Sequence, residues 1–173
     1  MPRDAAKAIG SEEVRSGPVT ATQDVYLWFA DRALAQMAEI VGTLGDELAN
    51  RRPAITGANS PYAILTHCLG VVEYWGGAAV AERAVLRDRD AEFRASGSVQ
   101  VLVRRTAEAR RRLREDLEGL ESGAAPAHVV RDPADPVPYT ETKGAVLLHI
   151  TEELYQHLGQ MELTRDMLLA GPA

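Results

Sequence analysis

The chain has 173 residues, enough for one domain with a substantial core. Apolar residues make up 46% of it, which excludes a disordered chain, and a net charge of −6 argues against a nucleic-acid binder. The single cysteine, Cys68, excludes an internal disulfide and suits a reducing cytoplasm.

The opening run MPRDAAKAIGSEEVRSGP has no apolar core of the signal-peptide kind. No apolar run approaches the ~20 residues of a membrane span. Residues 1–20 are small and polar and read as an N-terminal tail or arm, with residues 21–173 as a single domain. Asp24 is a candidate cap for the first helix. Apolar residues then recur at Leu27, Ala30, Leu34, Met37, Val41, Leu44 and Leu48. These alternating steps of three and four make a narrow stripe suited to a bundle, ending near Asn50 ahead of Pro53.

Ser60 followed by Pro61 opens the second helix: a hydroxyl cap, then proline at the first helical position. His67 lies inside it, among Ile64, Leu65, Val71 and Trp75. Gly76 and Gly77 mark an end or a bend. A charged connection follows, in which Asp88, Asp90 and Glu92 alternate with Arg87, Arg89 and Arg94 and read as a paired surface cluster. Ser98 is the expected cap of a third helix, with a stripe of Val99, Leu102, Thr106, Ala109, Leu113, Leu117 and Leu120. Its arginines are interleaved with Glu108, Glu115 and Asp116, so they make a solvated face. Glu121 to Pro138 is a long proline-rich loop carrying His128, read as exposed. A fourth helix runs from about Thr140 to Ala170, stopped by Gly171 and Pro172. Four helices with long connections predict an all-α four-helix bundle.

The fourth helix carries His149, Glu153 and His157, four residues apart. Residues at that spacing lie on one helical face, about 6 Å along the axis. Two of them can therefore reach one ion. Added to His67 from a facing helix, Glu153 and His157 give two imidazoles and a carboxylate. That set matches catalytic zinc, which keeps a fourth position open. Other first-row divalent ions fit as well. Taken one at a time, each histidine reads better as a hydrogen-bonded core residue than as a ligand. His149 is a ligand, a partner holding Glu153, or core; the middle reading is favoured, because ligating groups are usually held by another hydrogen bond. Cys68 points about 100° from His67 and reads as a small buried apolar residue. Gln156 and Gln160 read as helix surface, and Arg165 as an anion contact or a partner of Glu162.

Three blocks carry a family likeness. The run Ala58-Asn59-Ser60 into Ile64-Leu65-Thr66-His67, then Glu73-Tyr74-Trp75, resembles the second helix of DinB-like proteins. Arg87-Asp88-Arg89-Asp90-Ala91-Glu92-Phe93 is similar to members from actinobacteria. Leu148-His149 through Glu153, His157, Gly159, Gln160 and Arg165 resembles the family's fourth helix. The resemblance implies a bundle of up-up-down-down topology with a divalent metal, zinc first and nickel second. It implies His67, Glu153 and His157 as ligands and leaves His149 outside them. A glutamate at the first fourth-helix position resembles the mycothiol-dependent maleylpyruvate isomerase branch. That isomerase has a further C-terminal domain, whereas this sequence stops after the bundle. The expectation is therefore a metal-dependent thiol S-transferase using mycothiol or a similar thiol against an electrophile or xenobiotic. His149 would orient Glu153 or relay a proton, and Arg165 would contact the cosubstrate. The alternatives are a non-catalytic, stress-associated metal-binding protein and a metal-dependent hydrolase on the same residues. A cytoplasmic homodimer is expected, with no nucleic-acid or membrane partner.

Overall fold

The computed structural model describes residues 21–129 and 137–171. The expected N-terminal arm and the tip of the proline-rich loop lie outside them. The described chain is helical: α1 (Gln23–Asn50), α2 (Pro61–Val72), α3 (Arg89–Glu92), α4 (Val99–Asp116) and α5 (Lys143–Ala170). A π-helical stretch, Glu73–Val80, continues α2, and a 3-10 turn, Pro138–Thr140, precedes α5. The predicted third and fourth helices are thus α4 and α5.

The ends of the helices show how local chemistry sets their limits. Ser60 caps α2 as expected, its Oγ accepting from the Ala63 N–H at 3.2 Å. Thr142 caps α5 in the same way through Ala145, at 3.1 Å. Two expected caps are replaced. Thr22, not Asp24, occupies the cap position of α1, and Asp24 falls in its first turn, where a negative charge suits the helix dipole. The Ser98 side chain does not cap α4. Asp46 of α1 does so instead, its Oδ1 accepting from the Val99 N–H at 2.7 Å. Gly45 makes this reach available: its φ of 65° breaks the α1 helix one residue earlier, a conformation that glycine adopts at little cost. Gly76 and Gly77 do not end α2; the chain passes through them in π-helical form to Val80.

The expected all-α bundle forms, but its helix directions differ from the expected up-up-down-down order. Asp31, early in α1, pairs with Arg110 (3.1 Å) and Arg114, late in α4. Asp46 meets Val99 at the opposite ends, so α1 and α4 are antiparallel. Glu73 and Arg83, at and beyond the end of α2, pair with Arg112 and Asp116 at the end of α4, so α2 and α4 are parallel. Lys143 opens α5 beside Glu82, at 2.9 Å, and Arg51 reaches the Leu168 carbonyl near its far end, at 3.2 Å. Helix α5 therefore runs with α1. The order is up, down, down, up. A turn of residues 51–60 suffices to reverse α1 into α2. By contrast, parallel α2 and α4 require residues 81–98 to return along the bundle, past the middle of α2.

The core is built from Leu34, Met37 and Val41 of α1, Ile64 and Leu65 of α2, Leu102 of α4, and Ile150, Leu154 and Met161 of α5. The α1 stripe is buried as its spacing predicts, except that Leu27 and Leu48 are only half-buried. Two of the α4 arginines pair with acidic neighbours, Arg111 with Glu108 and Glu115, and Arg112 with Glu108 and Glu73. Pro61–Val80 is long and apolar enough to cross a bilayer by length and composition, which the sequence reading did not anticipate. Most of it is buried against the other helices.

Candidate metal centre

His67 is buried midway along α2, opposite the middle of α5. Its Nε2 lies 3.8 Å from Glu153 Oε2. His157 Nε2 lies 3.4 Å from the same oxygen. The two imidazoles meet edge to face with centroids 4.8 Å apart. One ligand atom from each of the three residues falls within 4.8 Å of the others. Neutral imidazole donates through one nitrogen and accepts through the other, so the partner of each Nδ1 fixes the role of each Nε2. His67 Nδ1 donates to Glu92 Oε2 at 2.8 Å. His157 Nδ1 donates to the Gln160 amide oxygen at 2.9 Å. Both Nε2 atoms are left as acceptors, and both face a carboxylate, which is also an acceptor. Glu153 accepts no hydrogen bond from any described residue. With both imidazoles neutral and protonated on Nδ1, three lone-pair donors converge here, an arrangement that a divalent cation satisfies and a hydrogen bond does not.

The match of a protein-family model gives this geometry a context. The model described as the DinB superfamily matches residues 30–161, a span that contains His67, Glu153 and His157. The chain belongs to the DinB superfamily. A solved crystal structure of a conserved protein from Enterococcus faecalis is similar in fold, with a TM-score of 0.69 at 16% identity. It covers 88% of this chain and 99% of its own. At that identity the likeness speaks to the fold alone. No functionally curated protein matches the chain.

In this DinB superfamily member, the remaining predicted site residues fall at graded distances from the cluster. His149 lies one turn before Glu153, with its Nε2 3.9 Å from Glu153 Oε1 and its Nδ1 3.3 Å from Glu152 Oε2. The first distance is too long for a hydrogen bond, so His149 neighbours Glu153 without gripping it. Its ring stacks on Tyr139 at 3.9 Å and meets the Trp75 edge at 5.1 Å. Together these three make an aromatic wall beside Glu153. Arg165 is two turns past His157, about 12 Å along the helix. Its guanidinium bonds Asp166 at 2.8 Å, not Glu162. Cys68 is fully buried, and burial pushes its thiol far above the ordinary range, so it is inert. Exposed His128 and half-buried Glu73 lie outside the cluster; Glu73 bonds Arg83 at 2.8 Å.

Sequence reasoning missed the groups behind the histidines. Glu92 is not part of a surface cluster: it is 8% exposed and bonded to His67 and to Arg87. Gln160 is not idle helix surface, since it holds His157. One signal for Glu92 was present. Gly70, an isolated glycine in an apolar helix three residues after His67, marks a close approach by another group. That group is the Glu92 carboxylate.

Burial pulls the His67 imidazole below its ordinary pKa, and Arg87 acts in the same direction, as does His157 whenever it is protonated; the bond to Glu92 opposes them only in part. Burial pushes the Glu92 carboxyl up, but hydrogen bonds from Arg87 and His67 outweigh it, and the group stays below its ordinary value. A neutral imidazole beside an ionised carboxylate is the state in which Nε2 can bind a metal.

Proposed function

We propose that the protein is a metal-dependent S-transferase that activates a low-molecular-weight thiol, mycothiol or a similar compound, for attack on an electrophile. The observation that carries the metal part is the meeting of His67 Nε2, His157 Nε2 and Glu153 Oε2 without a donor. The transferase part rests on the likeness of the Glu153–His157 pair to the mycothiol-dependent branch of the family. When bound, a divalent cation of the zinc type would supply the positive charge that lowers the pKa of a cosubstrate thiol.

The chain's own residues do the rest. His67 from α2 and Glu153 and His157 from α5 would hold the ion. The Glu153 side chain keeps 27% of its surface exposed, so the cosubstrate enters from that side. His149, beside Glu153 Oε1, would accept the proton that the thiol gives up. The sulfur then forms its bond to the electrophilic carbon, whose leaving group departs with the bonding pair. Trp75 and Tyr139, packed around His149, favour an electrophile with an apolar or aromatic body. Arg165 serves an anionic group of the thiol only by exchanging its Asp166 partner.

Elemental analysis of protein purified without a metal-affinity tag is the first test, and thiol consumption against a panel of electrophiles is the second. One equivalent of divalent metal with metal-dependent thiol consumption is the expected result. Stoichiometric metal without thiol consumption would leave a non-catalytic metal-binding protein. Absence of metal would return the histidines to the core.

A further inference from the structure

The segment that returns from α2 to α4 passes directly behind His67 and delivers two groups to its ring. Phe93 stacks on the imidazole, with centroids 4.4 Å apart and planes 25° from parallel. Glu92, one residue earlier, places Oε2 2.8 Å from Nδ1. We infer that Glu92, held by Arg87 and admitted by Gly70, is a positioning residue that fixes the tautomer and orientation of His67 and so sets the affinity of the α2–α5 site for a divalent cation. This inference rests on the reading of His67, Glu153 and His157 as a metal site.

Three observations set Glu92 apart from an ordinary buried ion pair. First, its oxygens are divided between two tasks. Oε1 accepts from Arg87 Nε at 2.8 Å, and Oε2 accepts from Arg87 Nη2 at 3.0 Å as well as from His67. The forked guanidinium alone would stabilise the buried charge. The bond to His67 is additional, and it falls on the nitrogen that faces away from Glu153 and His157. Second, the carboxylate lies where a side chain at position 70 would be. A Cβ on Gly70 would overlap Glu92 Oε1 and come within 2.5 Å of its carboxyl carbon. Glycine at this point of α2 is therefore a condition for the approach, despite the cost of glycine in a helix interior. Third, the turn that presents Glu92 is itself fixed. Asp88 caps α3 by accepting from the Ala91 N–H at 2.9 Å.

The consequence for His67 is specific. A free neutral imidazole carries its proton on either nitrogen. A carboxylate at hydrogen-bond distance from Nδ1 selects the Nδ1–H form, which leaves the Nε2 lone pair facing Glu153 and His157. Phe93 holds the ring plane at the same time. Without Glu92 the imidazole is free to protonate Nε2 and donate to Glu153, a hydrogen bond that competes with the metal.

The test reads the tautomer and the metal separately. Nitrogen-15 shifts of the His67 ring, measured on the metal-free protein, report which nitrogen is protonated. Titration with zinc reports the affinity. Wild type is expected to show the Nδ1–H form. Glu92→Ala is expected to lose it and to bind zinc about 10–100-fold more weakly, the usual cost of removing such a partner. Glu92→Gln keeps an acceptor oxygen and should recover part of both. Gly70→Ala keeps every charge but displaces the carboxylate, and it should shift the tautomer and the affinity in the same direction as Glu92→Ala. It stands in if Glu92→Ala fails to fold. Wild-type tautomer and wild-type zinc affinity in folded Gly70→Ala and Glu92→Ala proteins would overturn the inference. Failure of wild type to bind zinc would sink the metal reading instead, and an unchanged tautomer in Glu92→Ala would then sink the inference by itself.

Discussion

Two carboxylates flank the same imidazole, and they are treated in opposite ways. Glu92, on the Nδ1 side of His67, is buried and receives hydrogen bonds from Arg87 and from the ring itself. Glu153, on the Nε2 side, is partly exposed and faces two nitrogens that have no proton to give. A satisfied carboxylate braces; an unsatisfied one waits for a cation. The contrast also separates two kinds of element. Glu92 ends the single-turn helix α3 within the connection from α2 to α4, yet it is held at both oxygens. Glu153 is in the middle of a 28-residue helix, yet it is the freer of the two.

The largest effect should come from the unsatisfied side. His157→Ala removes a ligand outright, and zinc affinity is expected to fall by more than about 100-fold, beyond what loss of an outer hydrogen bond costs. Helical content by circular dichroism should survive, because the His157 ring contributes little to the core. Full metal occupancy in that variant would dissolve the contrast, since Glu153 would then have no partner to share. Glu153→Gln sharpens it from the other direction. The amide brings donors to a place where only acceptors meet. The metal-free protein should therefore gain about 1 kcal/mol, or roughly 2–4 °C in thermal midpoint, while zinc binding weakens. A lower midpoint for the metal-free variant would mean that the three acceptors do not repel one another.

How much of this the sequence carried depends on the distance over which each feature is decided. Ser60-Pro61 and Gly171 bound their helices through local chemistry, and both were legible. The set of His67, Glu153 and His157 was legible because two members share a helical face and the third sits mid-helix among apolar residues. The helix directions were not legible. A connection of some twenty residues can either reverse the chain or carry it back along the bundle, and only the packing decides. Asp46 was hidden for the same reason: it caps a helix that starts 53 residues later. Glu92 was hidden by its neighbours. In a run of alternating charges one buried member looks like the others, and only Gly70, far from it in sequence, betrays the space it fills.

The braced side makes its own prediction for pH. His67 has its pKa lowered in the folded state from the ordinary 6.5. Below about 6.5 the unfolded chain therefore takes up a proton that the folded chain refuses, and stability falls as pH drops through that range. Glu92, also lowered, adds a loss of the same sign at more acidic pH, below its ordinary 4.5. In urea unfolding of the metal-free protein, the midpoint at pH 5.5 should lie below that at pH 7.5. His67→Gln should flatten this difference while leaving the Arg87–Glu92 pair in place. Equal midpoints for the wild type would show that His67 is protonated without penalty, and the bracing by Glu92 would then be of a cation and not of a neutral ligand.

The smallest effect is the control on all the others. Asp46→Ala removes the acceptor that holds the first N–H of α4, at the end of the bundle where α1 stops. Loss of such a cap costs about 1 kcal/mol. Asp46 touches neither carboxylate, and Asn50 still clasps Gly97 beside it through hydrogen bonds of 2.8 and 2.9 Å. Zinc affinity and the His67 tautomer should therefore stay at wild-type values while the unfolding midpoint drops. If they stay, the changes seen at Glu92 and Gly70 belong to the imidazole and not to a generally weakened fold. If zinc affinity falls with the midpoint, the metal is reading the stability of the whole bundle, and the difference between a bracing carboxylate and a waiting one explains less than the geometry suggests.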